Sequence, residues 1–214
     1  MINAFRKHGM KVTWVNWGLT NYDLLTIPPA FKSGFSGGSD LANETFGSDM
    51  GTIQENGTTI EVGQKLMRGA WNAEPWGVLG TMKDEGLAAG TDFLFHKNRL
   101  SGLWGPQTPY GQWLQENEIT TIFFGGVNAD QCVWSTFIDA YFKGKAPSPV
   151  SHLEETSLII LAYLGYDVVY VDDISATTSP EYASDMVRYN ANGDGNSTSI
   201  IAALDSSACK TNST

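Results

Sequence analysis

The chain is poor in the residues that build metal centres and disulfide frameworks. Its 214 residues include two cysteines, Cys132 and Cys209, and three histidines, His8, His96 and His152. Two cysteines make no disulfide scaffold, and no Cys-x-x-Cys pair is present to hold zinc. The histidines are scattered without ligand spacing, so no metal and no cofactor is expected. Charged residues are also sparse, at 17% of the chain with a net charge of -10. That acidic balance argues against nucleic acid and anionic membranes as partners. No apolar run is long enough to cross a bilayer; the best, Leu158 to Val171, contains Asp167. The first nine residues lack the apolar core of a secretory signal, and a cytoplasmic location is expected. Asn-x-Ser/Thr sites occur at Asn43, Asn56, Asn196 and Asn212, but several are expected by chance in so Asn- and Thr-rich a chain, and they do not indicate secretion. Gly193-Asp194-Gly195 follows no strand and is not a phosphate loop.

What is present is apolar and aromatic. Hydrophobic residues make up 42%, with seven Trp and ten Phe, enough for one buried core. A single domain over 1–205 is expected, with 206–214 a flexible tail. The opening residues read as the end of a helix closed by Gly9, followed by a strand from Met10 to Val15. Residues 17 to 91 carry many glycines and no sustained period. Within them a short strand at Thr58 to Val62 and helical turns at Trp76 to Asp84 are the legible parts. Further strands are expected at Asp92 to His96, Ile119 to Phe124 and Tyr166 to Val171. Helices are expected at Gly111 to Asn117, Asp130 to Lys143 and Glu181 to Tyr189, the last with Ser179-Pro180 at its start. A last element at Ser199 to Leu204 completes the reading. Strands alternating with helices predict an α/β fold, mainly parallel, with helices on both faces. In such sheets chemistry gathers beyond the carboxyl ends of the strands. Lys97, Asn128 to Cys132 and Asp172-Asp173 all fall there.

The segment Gly125-Gly126-Val127-Asn128-Ala129-Asp130-Gln131-Cys132-Val133-Trp134 is the most informative. It takes an apolar strand through two glycines and a polar turn to a cysteine opening a helix. Backbone N–H groups and the helix dipole at such a turn favour a thiolate and offer donors to an oxyanion. A buried structural thiol is the plainer alternative for Cys132, and a tail thiol is the reading for Cys209.

Two blocks carry a family likeness. His96-Lys97-Asn98-Arg99-Leu100-Ser101-Gly102-Leu103-Trp104 and Gly126-Val127-Asn128-Ala129-Asp130-Gln131-Cys132-Val133, with Thr136, Asp139 and Ala140, resemble the isochorismatase-like cysteine hydrolases. Gly165 to Val169 with Asp173 follows in the same order. The resemblance implies a three-layer fold around a six-stranded parallel sheet and an Asp-Lys-Cys triad. Cys132 matches the nucleophile and Lys97 the triad lysine. A non-proline cis peptide is implied at Val127–Asn128, with backbone N–H groups of Asn128 and Cys132 forming the oxyanion hole. Val127, Leu103 and Trp104 match pocket positions, although core packing serves the last two as well. Asn128 also suits a plain turn. The implied partner is a small amide, ureide or carbamoyl substrate, and a homo-oligomer is left open. Nicotinamidases of the family bind metal through histidines after the second strand. The corresponding Asn16 to Asp23 has none, which disfavours a metal-dependent nicotinamidase.

Two departures stand out. The family's catalytic Asp ends a first strand that precedes the helix at which this chain opens, so a central strand and its acid are expected to be absent. Asp23, Asp40 or Asp49 would have to replace it, and their spacing does not mark them. Residues 145–164 are an insertion between helix and strand. They read either as a retained short intron, since Gly144-Lys145 and Leu164-Gly165 can encode splice sites, or as an extra helix with Glu154, Leu158, Leu161 and Ala162 at helical spacing. A truncated or degenerate, inactive member serving as a binding scaffold is the alternative to an enzyme.

Overall fold

The computed structural model describes residues 1–35, 44–143, 166–191 and 194–211. The expected insertion at 145–164, Asp40 and the side chain of Cys209 lie outside the described residues. Contacts divide the chain into two units, Lys11–Arg99 and Met1–Met10 with Leu100–Thr214.

In the Lys11–Arg99 unit, β1 (Val12–Trp17) pairs in parallel with β4 (Asp92–Lys97), from Val12↔Asp92 to Trp17↔Lys97. β1 is rich in Val, Thr and Trp and β4 carries two Phe and a Leu, residues that fit a pleated, half-buried surface. The Trp14 indole donates to Asp92 at 2.7 Å, tying the strands at their start. The stretch that carried no period holds two six-residue helices, α2 (Asn21–Thr26) and α3 (Pro29–Gly34). Helices of six residues are too short to show a period. α2 is instead set by a capping box, with Thr20 and Asp23 exchanging side-chain-to-backbone bonds. α3 starts with proline in its first turn. The expected strand near Thr58 is β3 (Thr58–Glu61), in an antiparallel hairpin with β2 (Thr52–Glu55). Asn56 and Gly57, at φ 50° and 79°, form its tight turn. The expected turns near Trp76 extend into α4 (Val78–Ala89), closed by Gly90 in the left-handed region. Leu19, Ile27, Phe46 and Met67 are the buried core, joined by Trp17, Phe31 and Phe35.

In the other unit, α1 (Ile2–Lys7) sets Phe5 against Phe123, with ring centroids 5.2 Å apart. Parallel strands β5 (Thr121–Val127), β6 (Asp167–Ala176) and β7 (Asp194–Gly195) lie in that order. Helices are α5 (Pro109–Glu116), α6 (Trp134–Phe142), α7 (Glu181–Ala191) and α8 (Ser197–Thr211). The α/β class and the parallel strands agree with the sequence reading. β1 runs past the expected Val15 to Trp17, and α8 runs through the first residues of the expected tail to Thr211. A third placement also differs. Asp172 and Asp173 do not end a strand; β6 runs on to Ala176. The pairing shifts register between Phe124 and Gly126, so that Gly126 and Val127 meet Ser175 and Ala176. The two carboxylates are tolerated within the strand because each is engaged. Arg188 Nε donates to both oxygens of Asp172, at 2.9 and 3.0 Å, and Asp173 accepts from the Ser197 N–H at 2.8 Å. None of the described helices is long and apolar enough to cross a membrane.

Candidate active site

The cysteine sits where β5 turns into α6. Gly125 lies against Ile174, and a Cβ there would come within 2.5 Å of its Cδ1. Gly126 has φ 132°, a conformation that only glycine adopts readily. The Val127–Asn128 peptide bond is cis, as the resemblance implied. The helix expected from Asp130 opens with one wide turn over Ala129–Val133, in which the N–H of Val133 reaches back to the Asn128 carbonyl at 3.2 Å. Such single π turns inside helices recur at functional sites. Ala129 and Val133 are buried and anchor the turn, while Cys132 is half-buried.

Two polar hubs hold this turn. Asp130 accepts from the hydroxyls of Thr177 and Ser179, the latter at 2.7 Å, which fastens the turn to the loop after β6. Burial pushes the Asp130 carboxyl up, but these hydrogen bonds outweigh it and hold the group below the usual carboxylate range. The buried Thr136 hydroxyl donates to the Cys132 carbonyl at 2.7 Å and accepts from the Gly102 N–H at 3.1 Å. It thus joins the cysteine turn to the Leu100–Trp104 end of the lysine block. That segment is itself pinned. Thr108 donates to the Gly102 carbonyl at 2.9 Å while capping α5 through the Gly111 N–H. Leu103 is buried at 1% exposure, whereas Trp104 and Val127 stand out at 51% and 70%.

Lys97 belongs to the Lys11–Arg99 unit and is the last residue of β4. It is 7% exposed. Its ammonium donates to the Arg99 carbonyl at 3.0 Å and lies 3.6 Å from the centroid of the Trp17 ring. Asp23, in the same unit, spends one oxygen on the Thr20 N–H and hydroxyl, both at 2.7 Å, and the other on Asn98 at 2.6 Å. Burial raises its pKa, but those bonds and the nearby Arg99 charge bring it below the usual value. Asp49 accepts from the Gly51 N–H at 3.0 Å and so shapes the turn before β2. His96 packs against Gly18, and its buried Nδ1 has no hydrogen-bond partner among the described residues. Burial, and after it the charge of Arg68, hold its pKa below the ordinary histidine value. Among the described residues no three His, Cys, Asp or Glu side chains gather in a way that would hold a metal ion.

The sequence profile of the isochorismatase domain matches residues 1–151. The chain belongs to the isochorismatase family. Solved structures of the same fold agree. The nicotinamidase of Bacillus subtilis superimposes with a TM-score of 0.55 at 18% identity, covering 91% of this chain and 79% of that one. An isochorismatase family protein of Desulfovibrio vulgaris gives 0.57 at 16% identity, with coverages of 97% and 80%. The pyrazinamidase/nicotinamidase of Streptococcus mutans gives 0.54 at 16%, with 90% and 79%. No curated protein sequence matches the chain.

Within this isochorismatase domain, sequence reasoning placed Cys132 at a strand-to-helix turn and Lys97 at a strand end. It assigned no role to Asp130, Thr136, Thr177 or Trp17. Thr177 and Ser179 were the available signal for one hub. Ser179 reads as a helix cap before Pro180, yet its hydroxyl goes to Asp130, 49 positions away in the chain.

Proposed function

We propose that the protein is a cysteine hydrolase that cleaves the C–N bond of a small amide, ureide or carbamoyl compound. The observation that carries this is the placement of Cys132. It lies in the first turn after β5, beyond the cis Val127–Asn128 bond, in a family whose sequence profile the chain matches. The Cys132 thiolate attacks the substrate carbonyl, expels the amine and leaves an acyl-enzyme that water hydrolyses. The lysine's role falls to Lys97. The backbone N–H groups of Asn128 and Cys132 take up the oxyanion. Val127, Leu103 and Trp104 are the proposed pocket residues. That structural relatives are a nicotinamidase and a pyrazinamidase/nicotinamidase supports an amide as the substrate class.

A second reading has one observation in its favour. Proton transfer from the thiol to the leaving amine needs a carboxylate, and the hydrogen bonds that Asp23 accepts from Thr20 and Asn98 hold its pKa down and make it a weaker base. On that reading the protein is an inactive family member that serves as a binding scaffold. A screen for ammonia release over small amides and ureides separates the two, with Cys132→Ala as control. The hydrolase reading expects release that Cys132→Ala abolishes. Release unchanged by Cys132→Ala refutes the mechanism, and a folded chain that releases nothing favours the scaffold.

A further inference from the structure

The turn that carries Cys132 is anchored by burial at its two ends and not in its middle. Ala129 and Val133 are 1% and 7% exposed, whereas Asp130, Gln131 and Cys132 between them are half-buried. Inside the turn, the Gln131 and Val133 N–H groups both reach the Asn128 carbonyl, at 3.1 and 3.2 Å. Beyond it, Thr136 donates to the Cys132 carbonyl at 2.7 Å. The middle is tied by polar contacts instead, and these come from the loop after β6.

Asp130, Thr177 and Ser179 form a closed clasp. Asp130 Oδ1 accepts from the Thr177 hydroxyl and Oδ2 from the Ser179 hydroxyl, the latter at 2.7 Å. The Thr177 hydroxyl in turn accepts from the Ser179 N–H at 3.1 Å, which fixes the loop that offers both donors. The fold brings that loop to the turn. Ala176, the last residue of β6, is the register partner of Val127. All these residues lie within the unit of Met1–Met10 and Leu100–Thr214. Hydrogen bonds to a carboxylate are stronger than those between neutral groups. α6 itself has other anchors, because Thr136, Phe137 and Ala140 bury its inner face. The clasp therefore acts on the short stretch before α6, where the cysteine stands.

We propose that Asp130 is a positioning residue: clasped by Thr177 and Ser179, it holds the Cys132 turn in the shape that directs the backbone N–H groups of Asn128 and Cys132 at one oxygen. The proposal rests on reading this turn as the oxyanion hole of the hydrolase. Two donors stabilise an oxyanion only when both come within about 2.7–3.1 Å of the same point. A misplacement of about 1 Å can cost about 100-fold in rate. Alkylation of the same sulfur is less demanding, since displacement at a saturated carbon builds no negative oxygen. Loss of the clasp should harm attack on a carbonyl far more than it harms alkylation.

The test uses the full chain and two variants at half-buried positions, Thr177→Val and Ser179→Ala, with Thr177→Ser as the conservative control. Amide hydrogen exchange comes first because it needs no substrate. In both variants the Gln131 and Val133 amides should exchange at least about tenfold faster than any rise in the β5 amides accounts for, and Thr177→Ser should restore the native rate. Native exchange in the turn of either folded variant overturns the proposal, whether or not the chain is a hydrolase. Kinetics follow, on the compound that gives most ammonia in a screen of small amides and ureides. In Thr177→Val kcat should fall about 10–100-fold with KM within about threefold. Alkylation of Cys132 by iodoacetamide should stay within about twofold of native. A native kcat in Thr177→Val overturns the proposal, and so does alkylation that falls in parallel with kcat, which is the mark of a turn that has merely come undone. If exchange quickens as expected but no compound gives release that Cys132→Ala abolishes, the clasp is upheld as what holds the turn and the hydrolase reading fails instead.

Discussion

Replacing Asp130 removes the acceptor of two hydroxyl hydrogen bonds that fasten the cysteine turn to the loop after β6. A hydrogen bond to a charged group contributes about 1.5–3 kcal/mol net. Asp130 is only half-buried, so the abandoned hydroxyls of Thr177 and Ser179 regain water and the cost falls toward the low end. Asp130→Ala is therefore expected to cost about 2 kcal/mol. Asp130→Asn should cost about 1 kcal/mol, because its amide oxygen still accepts one hydroxyl but without charge. In urea, with a slope of about 1–3 kcal/mol/M, the alanine variant should lose about 1 M in midpoint at unchanged slope. The pH dependence has a definite sign. The folded pKa of Asp130 lies below its ordinary 3.8, since the hydroxyl bonds outweigh burial. Its contribution is complete above the unfolded value and is lost as pH falls from there through the lower folded value. The gap between the native protein and Asp130→Asn should accordingly be full at pH 7 and close toward pH 2. Equal urea midpoints at pH 7 for the native protein and Asp130→Ala would refute the hub.

Two further substitutions probe the same architecture. Thr136→Val keeps the shape but leaves the buried Gly102 N–H without its acceptor, and should cost about 1–3 kcal/mol in denaturant, with Thr136→Ser close to native. Gly18→Ala should cost about 1–3 kcal/mol by overpacking, because its Cβ would lie 2.4 Å from His96 Nδ1 and 2.7 Å from Cγ; thermal melting checks it, and combining it with His96→Ala should recover most of the loss.

Sequence reading succeeded where a local rule decides the outcome. Gly9 closes α1 with φ 69°, and the strands expected at Met10 to Val15 and Asp92 to His96 became β1 and β4, the first displaced to Val12–Trp17. The double glycine before Val127 led into the turn that carries Cys132. It failed where partners are distant. Strand β2 has little apolar patterning of its own and exists through its pairing with β3. Helices α2 and α3 are too short to declare themselves and depend on a capping box, a proline and the core around Phe46. The end of β6 was misplaced because Asp172-Asp173 looks like a terminus, and Arg188 and Ser197, which make it tenable as strand, lie 16 and 24 residues on. The candidate site divides likewise. Cys132 and Lys97 stand in recognisable blocks, while the hydroxyls that hold the cysteine turn come from Thr177 and Ser179, and the ring that meets the lysine is set by strand register.

The unusual course of β6 has a bearing on how the protein behaves in a crowded solution. Among the described residues β7 pairs with β6 at Tyr170 and Val171, and β6 continues for five more residues. An apolar run such as Val168-Val169-Tyr170-Val171, continued by Ile174, is the kind of segment onto which a foreign strand can add. Asp172 and Asp173 interrupt it with two adjacent negative charges, at the point where β7 stops covering the edge. Carboxylates in the middle of a strand break the apolar run that such addition favours, and here Arg188 and Ser197 make them tenable.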